Sequence, residues 1–150
     1  MLKIKASTMI PRDRVVGLSF DGVHLKKANG YDQHNDQVLG PFNEATVMLM
    51  RGVFRHFKLP VWYRYASRPS KEDMFEIIQK IEDAGFHVVS VTCDSAPVNR
   101  TFAANLGVTI ETPFFKHPFR KDDKIFWFFD IGSDQLHTTI PVQFSFPSIS

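Results

Sequence analysis

Three apolar runs of this sequence each end on an aspartate, and carboxylates arranged in this way can hold a divalent cation. The runs are Val15–Phe20 before Asp21, Val88–Cys93 before Asp94, and Ile125–Phe129 before Asp130. Short apolar runs are typical of buried strands, and ligands of open α/β sheets gather at the carboxyl ends of the strands. A hard cation such as Mg²⁺ prefers carboxylate oxygens and can serve phosphoryl chemistry there. The alternative is that each aspartate is an ordinary turn residue, because Asp is common where strands end.

Length and composition describe one domain of ordinary globular character. The chain has 150 residues, of which 43% are hydrophobic and 23% charged, so it is long enough to bury a proper core. A net charge of +2 is too small to indicate nucleic-acid binding by itself.

Cysteine content and hydropathy give expectations about the compartment. Cys93 is the single cysteine, which excludes an internal disulfide and a cysteine-based zinc finger, and its apolar run predicts a buried small hydrophobe. No apolar stretch approaches the roughly 18 residues of a membrane span. The N-terminus lacks the apolar core of a signal peptide. We therefore expect an intracellular protein that is not secreted and has no membrane partner.

The elements that would position the aspartates follow from the hydrophobic pattern, beginning with a group of strands. The predicted strands are Val15–Asp21, His24–Tyr31, Gln37–Gly40, Ala45–Gly52 and Val61–Tyr65. The second and third of these flank a polar turn, which predicts an antiparallel hairpin.

The clearest helix follows Ser70. Ser70 and Asp73 predict a variant of the capping box, and Gly85 is typical of the position just after a helix. Apolar residues recur at helical spacing between them: Met74, Ile77, Ile78, Ile81 and Ala84. The helix should therefore pack one apolar face against a sheet.

The rest of the chain is predicted to alternate strand and helix. The expected order is the strand Phe86–Cys93, a helix Pro97–Leu106 that buries Val98, Phe102 and Leu106, a loop Thr112–Asp123, and the strand Ile125–Phe129. An antiparallel meander followed by α-β-α-β is the opening order of an RNase H-like α/β fold. In that topology the first strand lies beside the strand after the first helix, so Asp21 and Asp94 should face each other at one sheet edge.

The same segments resemble the catalytic domain of P-element-type transposases, a group that includes the THAP-domain transposases. The resemblance runs in order from Val15 to Asp130 and rests on these segments: Leu18–Lys27, Tyr31-Asp32, Val38–Gly40, Met50–Phe54, Lys58–Tyr63, Gly85–Asp94, Asn99–Gly107, His117-Pro118 and Ile125–Asp130. No single motif is decisive, but their collinearity is specific.

This resemblance implies a cut-and-paste DNA transposase whose RNase H-like core binds divalent metal, normally Mg²⁺, for strand cleavage and joining. It implies that Asp21 and Asp94 are the first two catalytic carboxylates and metal ligands. Asp130 is a third candidate metal ligand, supported by its strand end alone. The implied partner of the intact protein is DNA at the transposon ends, and the implied location is the nucleus. The sequence leaves the oligomeric state open, a homo-oligomer included.

The sequence departs from the family pattern after Asp130. The family continues with Asp-x-x-His-x-x-Lys into a long helix, whereas here Asp134-x-x-His137 comes later and Pro141 argues against a helix. The expected organisation is a lead at 1–14, an RNase H-like domain at 15–130 that is incomplete at its C-terminus, and a divergent, loose tail at 131–150. We find no family-like zinc finger, nucleotide-binding insertion or third catalytic acid. The alternative function is therefore an inactive truncated or domesticated derivative that acts as a binding module.

For several other side chains, packing or surface exposure is a simpler explanation than a role in a functional site. His56 and His117 occur in aromatic segments, where packing or surface exposure is the expected role, and His24 would approach Asp21 only if the second strand bends back. Trp62–Arg64 could stack on bases, but an alternating half-buried strand explains the segment more simply.

Overall fold

A mixed six-stranded sheet carries the aspartates on its central strands. The computed structural model of the protein describes residues 2–32, 34 and 37–130. The strands are β1 (Val15–Asp32), β2 (Gln37–Gly52), β3 (Lys58–Tyr65), β4 (His87–Asp94), β5 (Phe114–Lys116) and β6 (Lys124–Asp130). The helices are α1 (Leu2–Ser7), α2 (Lys71–Asp83) and α3 (Pro97–Asn105), with a 3-10 turn at Pro11–Arg14.

The strand order is β3-β2-β1-β4-β6-β5. Strands β1, β2 and β3 pair antiparallel as a meander, while β4 pairs parallel with both β1 and β6. This is the predicted RNase H-like arrangement, and the three apolar runs are adjacent strands as expected. Helix α2 connects β3 to β4, and α3 begins the connection from β4 to β6.

The strands of the meander are longer than predicted, and this changes the position of Asp21. β1 does not end at Asp21 but continues to Asp32, and β2 runs without a break from Gln37 to Gly52. The predicted hairpin is confirmed, but the four strands predicted between Val15 and Gly52 form two continuous strands, β1 and β2. Gly22 and Val23, which separate the first two predicted strands, are instead paired with Thr46 and Ala45 of β2, and the register shifts between His24 and Gly30.

Helix α2 follows its prediction closely. The Ser70 hydroxyl accepts a hydrogen bond from the Asp73 backbone N–H at 3.1 Å, and the Asp73 carboxylate accepts one from the Ser70 N–H at 2.9 Å, which completes a capping box. Gly85 has φ +100°, the left-handed conformation that ends helices. The buried face consists of Met74, Ile77, Ile78 and Ile81.

The following segment differs from prediction in two respects. Helix α3 buries Asn99 and Ala103, while Val98 is 48% exposed, so Val98 does not belong to the packed face. Phe102 and Leu106 do pack against the core, as expected. The predicted loop at Thr112–Asp123 contains β5, which pairs antiparallel with β6. Phe114 lies opposite Phe126 in this pair.

The core lies between the sheet and its helices, and it includes the N-terminal segment. The buried residues of β1 and β4 in this core are Val16, Leu18, Phe20, Val88, Val91 and Cys93. They alternate except between Val88 and Val91, where the β1–β4 register shifts. Ala6 and Met9 are also buried in this core, so the segment predicted as a lead is part of the packed structure. Among the described residues no helix has the length and apolar content to cross a membrane. The predicted tail at 131–150 lies outside the described residues.

Candidate active site

The register of the sheet brings the three candidate aspartates level with one another. Asp94 on β4 is paired directly with Asp130 on β6. On the other side of β4, Ser19 pairs with Thr92, and continuing this register by two residues sets Asp21 beside Asp94. Residues level on neighbouring strands share one face of a sheet. At a strand spacing of about 4.8 Å, Asp21 and Asp130 each neighbour Asp94 but are about 10 Å from each other at the backbone.

Asp21 is exposed at the point where β1 loses one of its partners. Strand β4 ends at Asp94, while β1 continues beyond Asp21 paired with β2 alone. The Oδ1 atom of Asp21 accepts a hydrogen bond from the Gly22 N–H at 2.8 Å. The carboxylate is thus oriented locally and open to solvent, which suits a group that must receive a cation or a nucleic acid.

Asp94 is partly buried, and one of its oxygens is tightly held. Its Oδ1 accepts hydrogen bonds from the Asn99 Nδ2 at 2.6 Å and from the Ala96 backbone N–H at 3.0 Å. Asn99 Nδ2 also lies 3.3 Å from the Asp94 carbonyl oxygen. These donors come from the start of α3, so the helix that follows β4 fixes the Asp94 side chain.

The face opposite the carboxylates is anchored by an aromatic cluster. Phe20, Phe102 and Trp127 contact one another with ring centroids 5.7–6.2 Å apart in edge-to-face geometry. Cys93 is buried, as predicted, and burial raises the pKa of its thiol to about 12. The strands that carry Asp21 and Asp94 are therefore packed on this face, and the neighbouring thiol is neutral at ordinary pH.

A cleft of about 190 Å³ lies against Asn99, the residue that holds Asp94. Its lining comes from β1, α3 and the segment between β3 and α2: Phe20, Arg68, Pro69, Val98, Asn99, Thr101, Phe102 and Asn105. Arg68 also lines a second, smaller cleft next to Gly22. The cationic side chain of Arg68 thus borders both clefts, one of which contains Asn99 and the other Gly22.

Two other groups of candidate residues are not brought to this site. His24 lies opposite Glu44 on β2, with its Nδ1 3.8 Å from a Glu44 carboxylate oxygen, and strand alternation points it away from Asp21. Arg64 binds both oxygens of Asp73 at 3.0 and 3.1 Å and stacks over Trp62. The strand predicted for Trp62–Arg64 is confirmed, but its burial does not alternate, because Tyr63 and Arg64 are both exposed.

A second cluster of potential ligands, which the sequence did not predict, lies at the opposite end of β4. Ligand atoms of Glu82, His87 and His117 all lie within 4.8 Å of one another, and this is the one such group of three among the residues that the structure describes. His117 was expected to have a packing or surface role, and its side chain is fully buried. The three residues come from α2, β4 and the β5–β6 connection, so only the sheet order brings them together.

Hydrogen bonds show what holds this cluster. The Phe119 N–H donates to His117 Nδ1 at 3.1 Å, so the ring proton is on Nε2, which donates to Glu82 Oε1 at 2.8 Å. The same Glu82 carboxylate accepts the Val88 N–H at 2.9 Å and the Arg120 Nε–H at 2.7 Å. A metal would have to displace the Nε2 proton and approach Arg120. The cluster is accordingly a hydrogen-bonded tie between α2, β4 and the β5–β6 connection.

Known proteins with this architecture match the chain in sequence and in structure. Residues 1–107 match the family model of the TNP-like, RNase H N-terminal domain. The chain is 28% identical over 118 residues to the transposable element P transposase of Drosophila melanogaster; the match covers 79% of this chain and 16% of that protein.

A solved structure agrees. The chain superposes on the Drosophila P element transposase strand transfer complex with a TM-score of 0.76 and 26% identity, over 86% of this chain and 29% of the matched chain. The chain therefore spans less than a third of the length of either relative. With a six-stranded sheet of RNase H-like topology and a family match over most of its length, the chain belongs to the TNP-like RNase H N-terminal domain family, in its P-element-type transposase branch.

Proposed function

We propose that this domain binds a divalent cation, Mg²⁺ by its donor chemistry, through Asp21 and Asp94. The observation that carries the proposal is the β1–β4 register, which pairs Ser19 with Thr92 and, continued by two residues, brings Asp21 level with Asp94 on one face of the sheet. Asp130 is level with Asp94 on its other side and is the third candidate ligand. A set of carboxylate oxygens is what Mg²⁺ takes from proteins.

The donor set fits such a cation. Asp21 is exposed, and the hydrogen bonds to the Asp94 carboxylate described above both engage Oδ1, so an oxygen of each carboxylate can face a shared ion. When bound, Mg²⁺ would polarise a phosphodiester and activate the attacking oxygen. The contribution of the chain itself is to hold the two carboxylates at a fixed spacing and to keep the packed side of the site dry through Phe20 and Trp127.

The proposed reaction, in the intact protein, is phosphodiester cleavage and strand transfer on transposon-end DNA. The similarity to a P element transposase and to its strand transfer complex supports this substrate. Arg68, exposed between the two clefts, is suited to contact a backbone phosphate. We assign this activity to the nucleus, where a transposase meets chromosomal DNA, and imaging of the tagged chain in cells tests that location.

Metal titration of carboxylate variants tests the proposal. Asp21→Asn and Asp94→Asn should each weaken Mn²⁺ or Mg²⁺ binding by at least about tenfold, as measured by calorimetry. Loss of a residue that supports a metal ligand typically lowers the affinity at least tenfold, and loss of the ligand itself should lower it no less. Asp83→Asn is the matched control, because this exposed carboxylate lies at the end of α2, at the opposite end of β4 from Asp94. Equal binding by all variants would exclude the site.

A second candidate function is a binding module without cleavage. The observation in its favour is that Asp21, Asp94 and Asp130 do not form a group whose ligand atoms all lie within 4.8 Å among the described residues. A chain that binds DNA but shows no Asp21-dependent metal binding would support this alternative.

A further inference from the structure

We propose that Asn99 is a positioning residue that orients the carboxylate of Asp94, and that Arg68 in turn orients Asn99. The inference rests on the proposed metal site and deepens it. It concerns a chain of three side chains from separate parts of the fold: the end of β4, the first turn of α3, and the segment between β3 and α2.

The polarity of this chain is fixed by its donors. Arg68 can only donate, and its NH1 lies 3.2 Å from Asn99 Oδ1. The other end of the amide, Nδ2, is therefore the end that meets Asp94, and it donates to Oδ1 at 2.6 Å. Reversing the amide would set Nδ2 against Arg68 and an oxygen against the carboxylate, so a single orientation satisfies all three groups.

Burial makes this contact significant for the site. Asn99 is 2% exposed, and it is one of three polar residues buried among the described residues. A buried amide needs its hydrogen bonds, since an unmade one costs about 1–3 kcal/mol. Asn99 meets this need by holding Asp94 rather than by bonding within its own helix.

The consequence is a carboxylate with two inequivalent oxygens. Oδ1 is engaged by Asn99 and by the Ala96 N–H, which together prevent the group from rotating. Oδ2 is then the oxygen presented to a cation, so Asp94 should bind metal through one oxygen. Partners of ligating carboxylates act in this way in metal sites generally, and their loss typically lowers affinity 10–100-fold.

Arg68 joins this network from the surface of the protein. Its side chain is exposed and lines both clefts, and its guanidinium donates to the buried Asn99. An Arg68→Met variant retains much of the apolar stem but removes the donor to Asn99, which leaves the amide free to turn. We expect a smaller, several-fold loss of metal affinity for this variant.

The test is a double-mutant cycle on Mn²⁺ binding by the full chain, measured by electron paramagnetic resonance or calorimetry. Asn99→Leu, which is similar in size but has no donor, should weaken binding about 10–100-fold in the wild-type background. In an Asp94→Ala background the same substitution should have no further effect, because its action passes through Asp94. Gln79→Leu, which removes an exposed amide on α2 outside both clefts, is the control and should bind normally.

The outcomes separate the inference from the proposed function. Equal loss in both backgrounds, or no loss at all, would overturn the positioning role, since a merely structural effect does not depend on Asp94. If Asp21→Ala and Asp94→Ala themselves leave Mn²⁺ binding unchanged, the metal site is absent and the proposed function fails first. Should Asn99→Leu fail to fold by circular dichroism, Arg68→Met decides the question in the same cycle, and normal binding by it would overturn the inference.

Discussion

His87 is a residue whose charge the fold opposes. It begins β4, half-buried, with its Nε2 3.4 Å from an Asp123 carboxylate oxygen and its ring 6.0 Å from that of His117. Burial lowers the pKa of His87 below its usual 6.5, and Arg120 lowers it further, while Glu82 and Asp123 oppose this effect. The neutral imidazole is therefore the form that the folded protein prefers.

This preference predicts a pH dependence of stability. Because the unfolded chain takes up the His87 proton more readily than the folded chain, the free energy of unfolding should fall as pH drops from about 6.5 through the lower folded pKa. His87→Gln should flatten this slope in urea denaturation measured between about pH 7.5 and pH 5. An unaltered slope in His87→Gln would contradict the assignment.

At this scale the sequence predicts residues better than it predicts their partners. Asp21 and Asp94 stand out because each follows an apolar run, and their proximity follows from topology. Asn99 does not stand out, because Arg68 is 31 residues away and an Asn in a helix has no distinctive spacing. Glu82 and His117 are 35 residues apart and meet only because β6 lies next to β4. Contacts of this kind depend on sheet order and side-chain direction together.

Among the elements, the turn from β2 to β3 depends on a glycine. A Cβ atom on Gly52 would lie 2.0 Å from the carbonyl oxygen of Arg55 and 2.7 Å from a ring carbon of Phe57. The Gly52 N–H also donates to the Phe57 carbonyl oxygen at 3.1 Å, which closes the turn. Neither the backbone oxygen nor the core-packed ring can move away freely.

Gly52→Ala should therefore destabilise the protein by about 1–3 kcal/mol, the usual cost of forcing an extra carbon into a packed region. Chemical denaturation followed by circular dichroism measures this difference. Gly22→Ala is the matched control in the same pair of strands, because nothing lies within 4 Å of its added Cβ. It should change stability by no more than about 0.5 kcal/mol. Similar stabilities for the two variants would show that the turn opens without cost.

The elements also show where pattern reasoning succeeds. Helix α2 has strong local signals at both ends, and its capping box and Gly85 are where the sequence indicates. The strands β1 and β2 were divided in the prediction because polar residues interrupt their apolar runs. Their length is set by pairing with each other beyond the core, from Gly22 opposite Thr46 to Asp32 opposite Gln37. Pairing of that kind has no apolar signature, so the sequence alone could not reveal it.

In the molecule as a whole, the sheet order explains why the site is where it is. β4 is central in the trio β1-β4-β6, so Asp94 is the carboxylate with a neighbour on each side. The aromatic cluster of Phe20, Phe102 and Trp127 lies behind that trio and joins β1, α3 and β6. The fold class can be predicted from the order of the elements. The packing of Ala6 and Met9 in the core cannot, because α1 has only 6 residues and gives no clear helical pattern.

The arrangement predicts metal binding without DNA cleavage by residues 1–150 alone. In-line displacement at a phosphodiester uses two metal ions about 3.5–4 Å apart, each fixed by carboxylates. Asp94 can share one ion with Asp21, but Asp130 is two strands from Asp21, about 10 Å away at the backbone. The described residues therefore offer ligands for one well-held ion. Incubation with transposon-end DNA and Mg²⁺ should give no strand cleavage above the level of an Asp21→Ala, Asp94→Ala double variant. Cleavage that the double variant abolishes would contradict this prediction, and its loss in Asp130→Ala as well would identify Asp130 as the third acid.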